Sequence, residues 1–294
     1  MSQQVGGQAV IEGVMMRAKD KIAVAVRKED GDILVDKRDF TPISERFKIL
    51  KLPLFRGVVA LFQSLIIGIQ ALTFSANQFG EAEEEELSPL ELVLTMASSF
   101  GLAVLLFVIL PATLINFIES YIQYDLMLNF IEGIIKIIVF LSYIVIISKF
   151  EDINRFFQYH GAEHKVIYNH ESEQDLTAEN AAEFSTLHPR CGTSFLLFVM
   201  VISILIFSFF GRPTLLRRIL IHIAILPLVA GISYELIKQA GKKKGLKIFR
   251  LLSLPGIYLQ KLTTQQPDNE QIEVAIKSLE AVLEIEDEEA IKTV

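Results

Sequence analysis

Tryptophan is absent from the 294-residue chain, and cysteine occurs once, at Cys191. A single cysteine excludes an intramolecular disulfide, and with it the class of small secreted domains that disulfides hold together. Residues 1–14 contain no basic stretch followed by an apolar one, so we expect no cleavable signal peptide. Without tryptophan, tyrosine and phenylalanine are left as aromatic anchors at a membrane interface.

Long apolar runs dominate what is present. Hydrophobic residues make up 51% of the chain and charged residues 21%, and the mean hydropathy is +0.43. A helix that crosses the hydrocarbon core needs about 20 apolar residues. Four segments approach or exceed that length: 90–118, 131–148, 194–211 and 219–237. The sequence therefore predicts a polytopic α-helical membrane protein.

A fifth apolar stretch, residues 57–79, has a polar face. Gln63, Gln70 and Asn77 recur at seven-residue spacing, which places them on one side of a helix. This pattern favours an interfacial, re-entrant or protein-packed helix over a span that faces lipid on all sides.

The distribution of lysine and arginine decides the predicted topology. Four spans with both termini in the cytoplasm put 24 basic residues inside and 3 outside. A fifth crossing at 57–79 would give 14 inside and 13 outside. The positive-inside rule favours four spans, although Arg212, Arg217 and Arg218 then lie on the outer face.

The polar parts of the chain form a predicted cytoplasmic α+β portion. Two β-branched runs, at 22–26 and 33–35, flank an Asp-Gly turn at Asp30-Gly31 and predict a β-hairpin. Asp268 and Gln271 have capping-box spacing before an apolar stripe, which predicts a final helix. The predicted organisation is a β-rich unit (1–56), the interfacial helix (57–79), a transmembrane hairpin (90–148), a cytoplasmic excursion (149–193), a second transmembrane hairpin (194–237) and a basic and amphipathic tail (238–294).

The excursion contains the pattern H-x-x-E-H at His160, Glu163 and His164. On a helix the two imidazoles share a face and can bind one metal ion, zinc above all, with Glu163 beside them as a general base. Gly161 weakens such a helix relative to alanine. The alternative is a pair of solvated histidines at the membrane surface.

A second motif, at residues 188–194, closes the excursion where the third span begins. His188 or Cys191 is a candidate third ligand, because both ends of the excursion are tethered at the membrane. Arg190 and the helix N-terminus would also lower the pKa of a thiol at Cys191, which raises the alternative of a nucleophile. The plainer interpretation is a small residue packed at a helix start.

Two acidic residues are further site candidates. Glu12 lies between two glycine-flanked apolar stretches, and is either a metal ligand or catalytic acid or an acid of a turn. Glu235 lies near the end of the last span, where an acid is a functional candidate by default or pairs with a lysine such as Lys238.

Four motifs resemble the YqhQ-like family of bacterial membrane proteins: GGQAVIEGVMMR (6–17), YHGAEHK (159–165), HPRCGTSFL (188–196) and LTTQQP (262–267). The resemblance extends over nearly the whole chain. It implies a location in the bacterial plasma membrane. The family is a domain of unknown function whose members are sometimes described as predicted metal-dependent enzymes.

Two functions follow from these patterns. One is a metal-dependent hydrolase at the cytoplasmic membrane face, with a divalent ion and Glu163 as catalytic base. The other is a non-enzymatic scaffold or accessory factor in membrane-protein insertion. Its partners would be membrane proteins, the translocation machinery or a second copy of the chain. These partners would dock on the 57–79 helix or on the tail. A transporter is disfavoured because few spans carry ionisable residues near the midplane. We expect the lipid bilayer as a partner, and no specific nucleic acid.

Overall fold

A computed structural model describes residues 5–18, 20–43, 47–79, 88–211, 213–240 and 247–284. The acidic run at 83–86 and the basic run at 242–244 lie outside the described residues. The described chain combines a small sheet with a helical bundle, and so agrees with the predicted combination of apolar helices and an α+β portion.

The sheet has four antiparallel strands in chain order. They are β1 (Val5–Val10), β2 (Gly13–Ala18), β3 (Lys21–Arg27) and β4 (Ile33–Asp39). The predicted hairpin is confirmed, because β3 and β4 pair from Arg27 and Ile33 outward. Its turn contains Gly31 at φ +90°, a conformation that glycine adopts without steric cost.

Ten helices follow among the described residues. They are α1 (Phe55–Phe79), α2 (Pro89–Val104), α3 (Leu110–Asn116), α4 (Asp125–Ile147), α5 (Glu151–Glu171), α6 (Ala178–Ala182), α7 (Gly192–Phe207), α8 (Leu215–Ala240), α9 (Lys247–Thr263) and α10 (Asn269–Leu283). A π-helical segment, Leu105–Ile109, joins α2 to α3. The predicted final helix is confirmed as α10, and Asp268 and Gln271 form the capping box.

Both faces of β3 are buried, which explains the alternation of two apolar residue sizes along this strand. Ala23 and Ala25 belong to a core shared with α5 and α10. Val24 and Val26 face the other way, into a core that includes Ile67 and Ala71 of α1. Small side chains on one face allow two helices to approach, and larger ones fill the space beneath α1.

Helix α1 connects the sheet with the bundle. Its first turn packs on α8, where Arg56 donates two hydrogen bonds to Glu235 at 2.6 and 2.5 Å. Further along, Ser75 accepts a hydrogen bond from the Ile11 N–H at 3.2 Å. The remaining side of α1 exposes apolar residues, namely Phe62, Leu65, Ile66 and Ile69. Of the predicted polar face, Gln63 is buried while Gln70 and Asn77 are exposed.

Five helical segments are long and apolar enough to cross a membrane: Phe55–Gln78, Val93–Asn116, Asp125–Ile147, Gly192–Phe210 and Leu220–Ala240. Their apolar exposed surfaces indicate a lipid bilayer as their environment. Four of them correspond to the predicted spans, and the first is α1. Length and composition do not separate a spanning from an interfacial α1, so the count of four stays a prediction.

The tail contains a helix whose sequence gives little sign of it. The Pro255-Gly256 pair is typical of a chain break, yet α9 continues through both residues. Gly256 permits this path because a Cβ there would lie 2.8 Å from the Ser194 Cβ of α7. Helix α9 therefore packs against the start of α7, a contact that the sequence pattern did not reveal.

Candidate metal centre

The H-x-x-E-H pattern lies on α5, as predicted, in a part of the helix that is buried. Gly161 is required there despite its low helix propensity. A Cβ at this position would collide with the main-chain carbonyl of Gln265, and the Gln265 N–H donates to the Phe157 carbonyl at 2.9 Å. The segment after α9 thus lies directly on α5, and Thr263, the last residue of α9, brings its carbonyl group to His160.

Both imidazoles are oriented by main-chain oxygens. The Nδ1 of His160 lies 2.8 Å from the Thr263 carbonyl, and the Nδ1 of His164 lies 2.5 Å from the Thr186 carbonyl. A carbonyl accepts only from a protonated nitrogen, so the Nδ1 of each ring carries a proton, and in the neutral ring Nε2 is the atom that can bind a metal. The ring centroids are 4.5 Å apart.

Cys191 completes the cluster. It is the N-cap of α7, where its Sγ accepts from the Thr193 N–H at 3.4 Å. The same sulfur lies 3.2 Å from the Nε2 of His160. The deprotonated thiol is the form of cysteine that binds metals.

The three ligand atoms fit a divalent ion. One nitrogen from His160, one from His164 and the sulfur of Cys191 all lie within 4.8 Å of one another. Zinc binds imidazole nitrogen at about 2.0 Å and thiolate at about 2.3 Å, so the ligand atoms of a tetrahedral site lie about 3.3 to 3.6 Å apart. The 3.2 Å between the His160 Nε2 and the Cys191 Sγ is close to that spacing. Carbonyl groups on the far nitrogens are the usual second contacts of metal-binding histidines.

Glu163 lies beside this cluster and is buried, with a relative exposure of 6% for the residue. Burial raises the pKa of its carboxyl to about 7, while the nearby His160 and a hydrogen bond from the Gly7 main chain oppose that shift. Gly7 belongs to β1, and a Cβ there would lie 2.9 Å from the Glu163 Cγ. The N-terminal strand therefore holds the carboxyl group that the motif supplies.

His188 was predicted as an alternative third ligand, and the structure does not bring it into the cluster. Its ring centroid lies 5.6 Å from that of His164, and its Nδ1 accepts from the Arg190 N–H at 3.3 Å. Burial lowers the pKa of His188 to about 3, so the ring is neutral at physiological pH. Its main chain is fixed by Gln260, which accepts from the His188 N–H at 2.7 Å and donates to the His188 carbonyl at 2.8 Å.

The remaining candidates occupy ion pairs away from the two histidines. Glu12 is the left-handed residue of the β1–β2 turn (φ +48°), and its carboxylate accepts from Arg155 and from the Tyr159 hydroxyl. Arg190 pairs with Glu171. Glu235 pairs with Arg56 of α1, and Lys238 adds a weaker electrostatic interaction with the same carboxylate.

Motif analysis does not identify several residues of the centre, because these residues contribute main-chain groups and not side chains. Thr186 and Thr263 orient the histidines through carbonyl groups, which carry no side-chain signature. The LTTQQP motif, which contains Thr263, was the available signal. Beside these residues lies a polar groove of about 360 Å³, lined by Ser185, Thr186, Leu187, Lys261, Thr264, Gln265 and Gln266.

Comparison with known proteins confirms the resemblance drawn from the four motifs. Residues 52–285 match a family described as "Protein of unknown function (DUF1385)". The chain is 34% identical over 299 residues to "Uncharacterized protein YqhQ" of Bacillus subtilis (strain 168). The aligned region covers 96% of this chain and 92% of that protein. No solved structure matches. The family range contains all three candidate ligands, while the sheet precedes it.

Proposed function

Because this chain belongs to the DUF1385 family, whose description specifies no reaction, we propose its function from the site. The proposed function is that of a membrane-bound, metal-dependent hydrolase with a zinc centre at His160, His164 and Cys191. The convergence of three ligand atoms within 4.8 Å carries the proposal. Catalytic zinc sites keep three protein ligands and an open fourth position, whereas structural sites close the fourth with another residue.

The residues around the centre have separate tasks. The Thr263 and Thr186 carbonyls hold the imidazoles in the tautomer that a metal needs, and the start of α7 places the Cys191 sulfur beside them. A bound zinc ion would act as a Lewis acid and lower the pKa of a water molecule. Glu163, buried beside His160 and held by Gly7, is the carboxylate placed to accept a proton.

The proposed topology has four spans, α1 at the membrane interface, and both termini in the cytoplasm. Two contacts of α1 support this arrangement. Its first turn contacts α8 near residue 235, and its later turns contact the sheet through Ile67 and Ala71. A helix whose later turns, from Ile67 to Ser75, meet the sheet is placed to lie beneath that sheet. Its exposed apolar side then faces lipid.

Glu163→Gln tests the catalytic part of the proposal. We expect the variant to keep its fold and bound zinc but to fail in rescuing a deletion strain in competition growth, because an amide cannot accept a proton. Glu183→Gln, an exposed substitution on the same excursion, is the matched control and should rescue fully. Full rescue by Glu163→Gln together with loss of rescue by His160→Ala would instead assign the centre a structural role.

A further inference from the structure

The outward face of α9 is apolar over most of its length. Its exposed apolar residues are Ile248, Leu251, Leu252, Leu254 and Tyr258, with exposed fractions of 42 to 61%. Helix α9 is not among the five segments long and apolar enough to span a membrane. An exposed apolar face of this extent marks a surface that something covers.

The inner face of α9 shows the depth at which the helix lies. Leu259 belongs to one hydrophobic cluster with Phe140 and Ile144 of α4, and Leu197 and Met200 of α7 pack against that cluster. These four residues belong to two candidate spans. Met200 is eight residues into α7, which is about 12 Å along a helix axis. Since α9 contacts the spans over this depth, its opposite face lies at the level of the hydrocarbon.

The local sequence of α9 is typical of a helix in a membrane. Gly256 brings its main chain against Ser194, and small residues at such crossings are characteristic of helix pairs in lipid. Pro255 lies inside the helix, a position that membrane helices tolerate when neighbouring groups satisfy the freed carbonyl.

Charge identifies lipid as the partner. The sequence has five basic residues between positions 242 and 250, immediately before and within the first turn of α9. At the other end the Lys261 Nζ lies 4.9 Å from the centroid of the exposed Tyr258 ring. A basic segment adjacent in sequence to a helix with an exposed apolar face fits the anionic headgroups and acyl chains of one leaflet.

We infer that α9 is embedded in one leaflet, with its apolar face in the acyl chains, and that this lipid-bound helix forms a wall of the metal centre. The link to the centre is direct. The Thr263 carbonyl in the last turn of α9 accepts from His160. Gln260, one turn earlier, donates to the Ser194 hydroxyl at 3.0 Å. The lipid-facing surface does not depend on whether the centre binds metal.

Quenching of tryptophan fluorescence tests this inference. The natural chain has no tryptophan, so it contributes no background tryptophan emission. Leu251→Trp and Tyr258→Trp are each reconstituted into vesicles of phosphatidylcholine and phosphatidylglycerol with brominated acyl chains. Ile138→Trp, on an exposed side of the α4 span, serves as the lipid reference. Val35→Trp, on β4, serves as the reference outside the bilayer. We expect brominated lipid to remove about half of the emission at 251, 258 and 138, and little at 35.

Three outcomes are informative. Quenching by brominated lipid at both α9 positions supports the inference, and the agreement of two sites guards against a local distortion by either substitution. Quenching at 251 and 258 by aqueous iodide alone would place α9 in water and overturn it. Protection from both quenchers would show that protein, such as a second copy of the chain, covers the face, and would overturn it equally.

Discussion

Thr186 and Thr263 orient the two histidines through main-chain carbonyls, which substitution of their side chains does not remove. Cys191 is different, because its contribution is a side-chain atom. A serine hydroxyl in its place stays protonated at neutral pH and is a poor zinc ligand. The side chains of Cys191 and His188 therefore give the sharpest test of which residues bind metal.

Cys191→Ser should lower zinc affinity by about 100-fold or more, since removal of a direct ligand exceeds the 10- to 100-fold effect typical of second contacts. Competition titration with a chromophoric chelator measures this. His188→Ala is the comparison: its ring lies outside the cluster, so zinc affinity should change far less, even where the loss of a buried side chain lowers stability. A larger loss of affinity in His188→Ala than in Cys191→Ser would contradict the assigned ligand set.

At the scale of elements, the close contact of α5 with the segment after α9 determines whether the centre forms. Gly161 is the point of closest approach. Alanine has the higher helix propensity, so substitution would strengthen an isolated helix. In the folded protein the added Cβ must push the Gln265 carbonyl away, and with it the Thr263 carbonyl that holds His160.

Gly161→Ala should destabilise the protein by about 1–3 kcal/mol, the usual effect of overpacking, and should weaken zinc binding as well. Thermal unfolding of the purified protein in detergent, with and without chelator, gives both values. Gly101→Ala on α2 is the matched control, because nothing lies within 4 Å of a Cβ there. An unchanged melting temperature in Gly161→Ala would show that α5 and residue 265 are not in contact.

The elements also show which features were predictable. The β3–β4 hairpin followed from Asp30-Gly31, and α10 followed from its capping box, because both signals are local. The β1–β2 hairpin was missed because its left-handed turn residue is Glu12, not glycine or asparagine. The continuous α9 was missed because Pro255 and Gly256 normally interrupt a helix, and only the contact with Ser194 makes them suitable. His160 and His164 were found by spacing, whereas the selection of Cys191 over His188 needed the fold.

For the whole molecule, the sheet, α5 and α10 form one layered unit at the end of the bundle where α7 begins. In the proposed topology this unit is cytoplasmic, and the α3–α4 connection lies on the opposite side of the membrane. Asp175 and Tyr121 are exposed representatives of these two regions. The natural Cys191 is buried, so labelling by a thiol reagent reports on an introduced, exposed cysteine.

Asp175→Cys should resist a membrane-impermeant maleimide in intact cells and react after permeabilisation, as the positive-inside distribution requires. Tyr121→Cys, the matched control, should react in intact cells. Immunoblots of the labelled protein record both results. Reaction of Asp175→Cys in intact cells would invert the topology and place the metal centre on the outer face.

The metal content of the protein, purified without added metal and measured by elemental analysis, tests the central claim most directly. We predict about one zinc ion per chain in the natural protein and its loss in His160→Ala and His164→Ala, because each removes one of three direct ligands. Folded natural protein with no bound divalent ion, and with a zinc affinity that both variants retain, would contradict the assignment of this cluster as a metal centre.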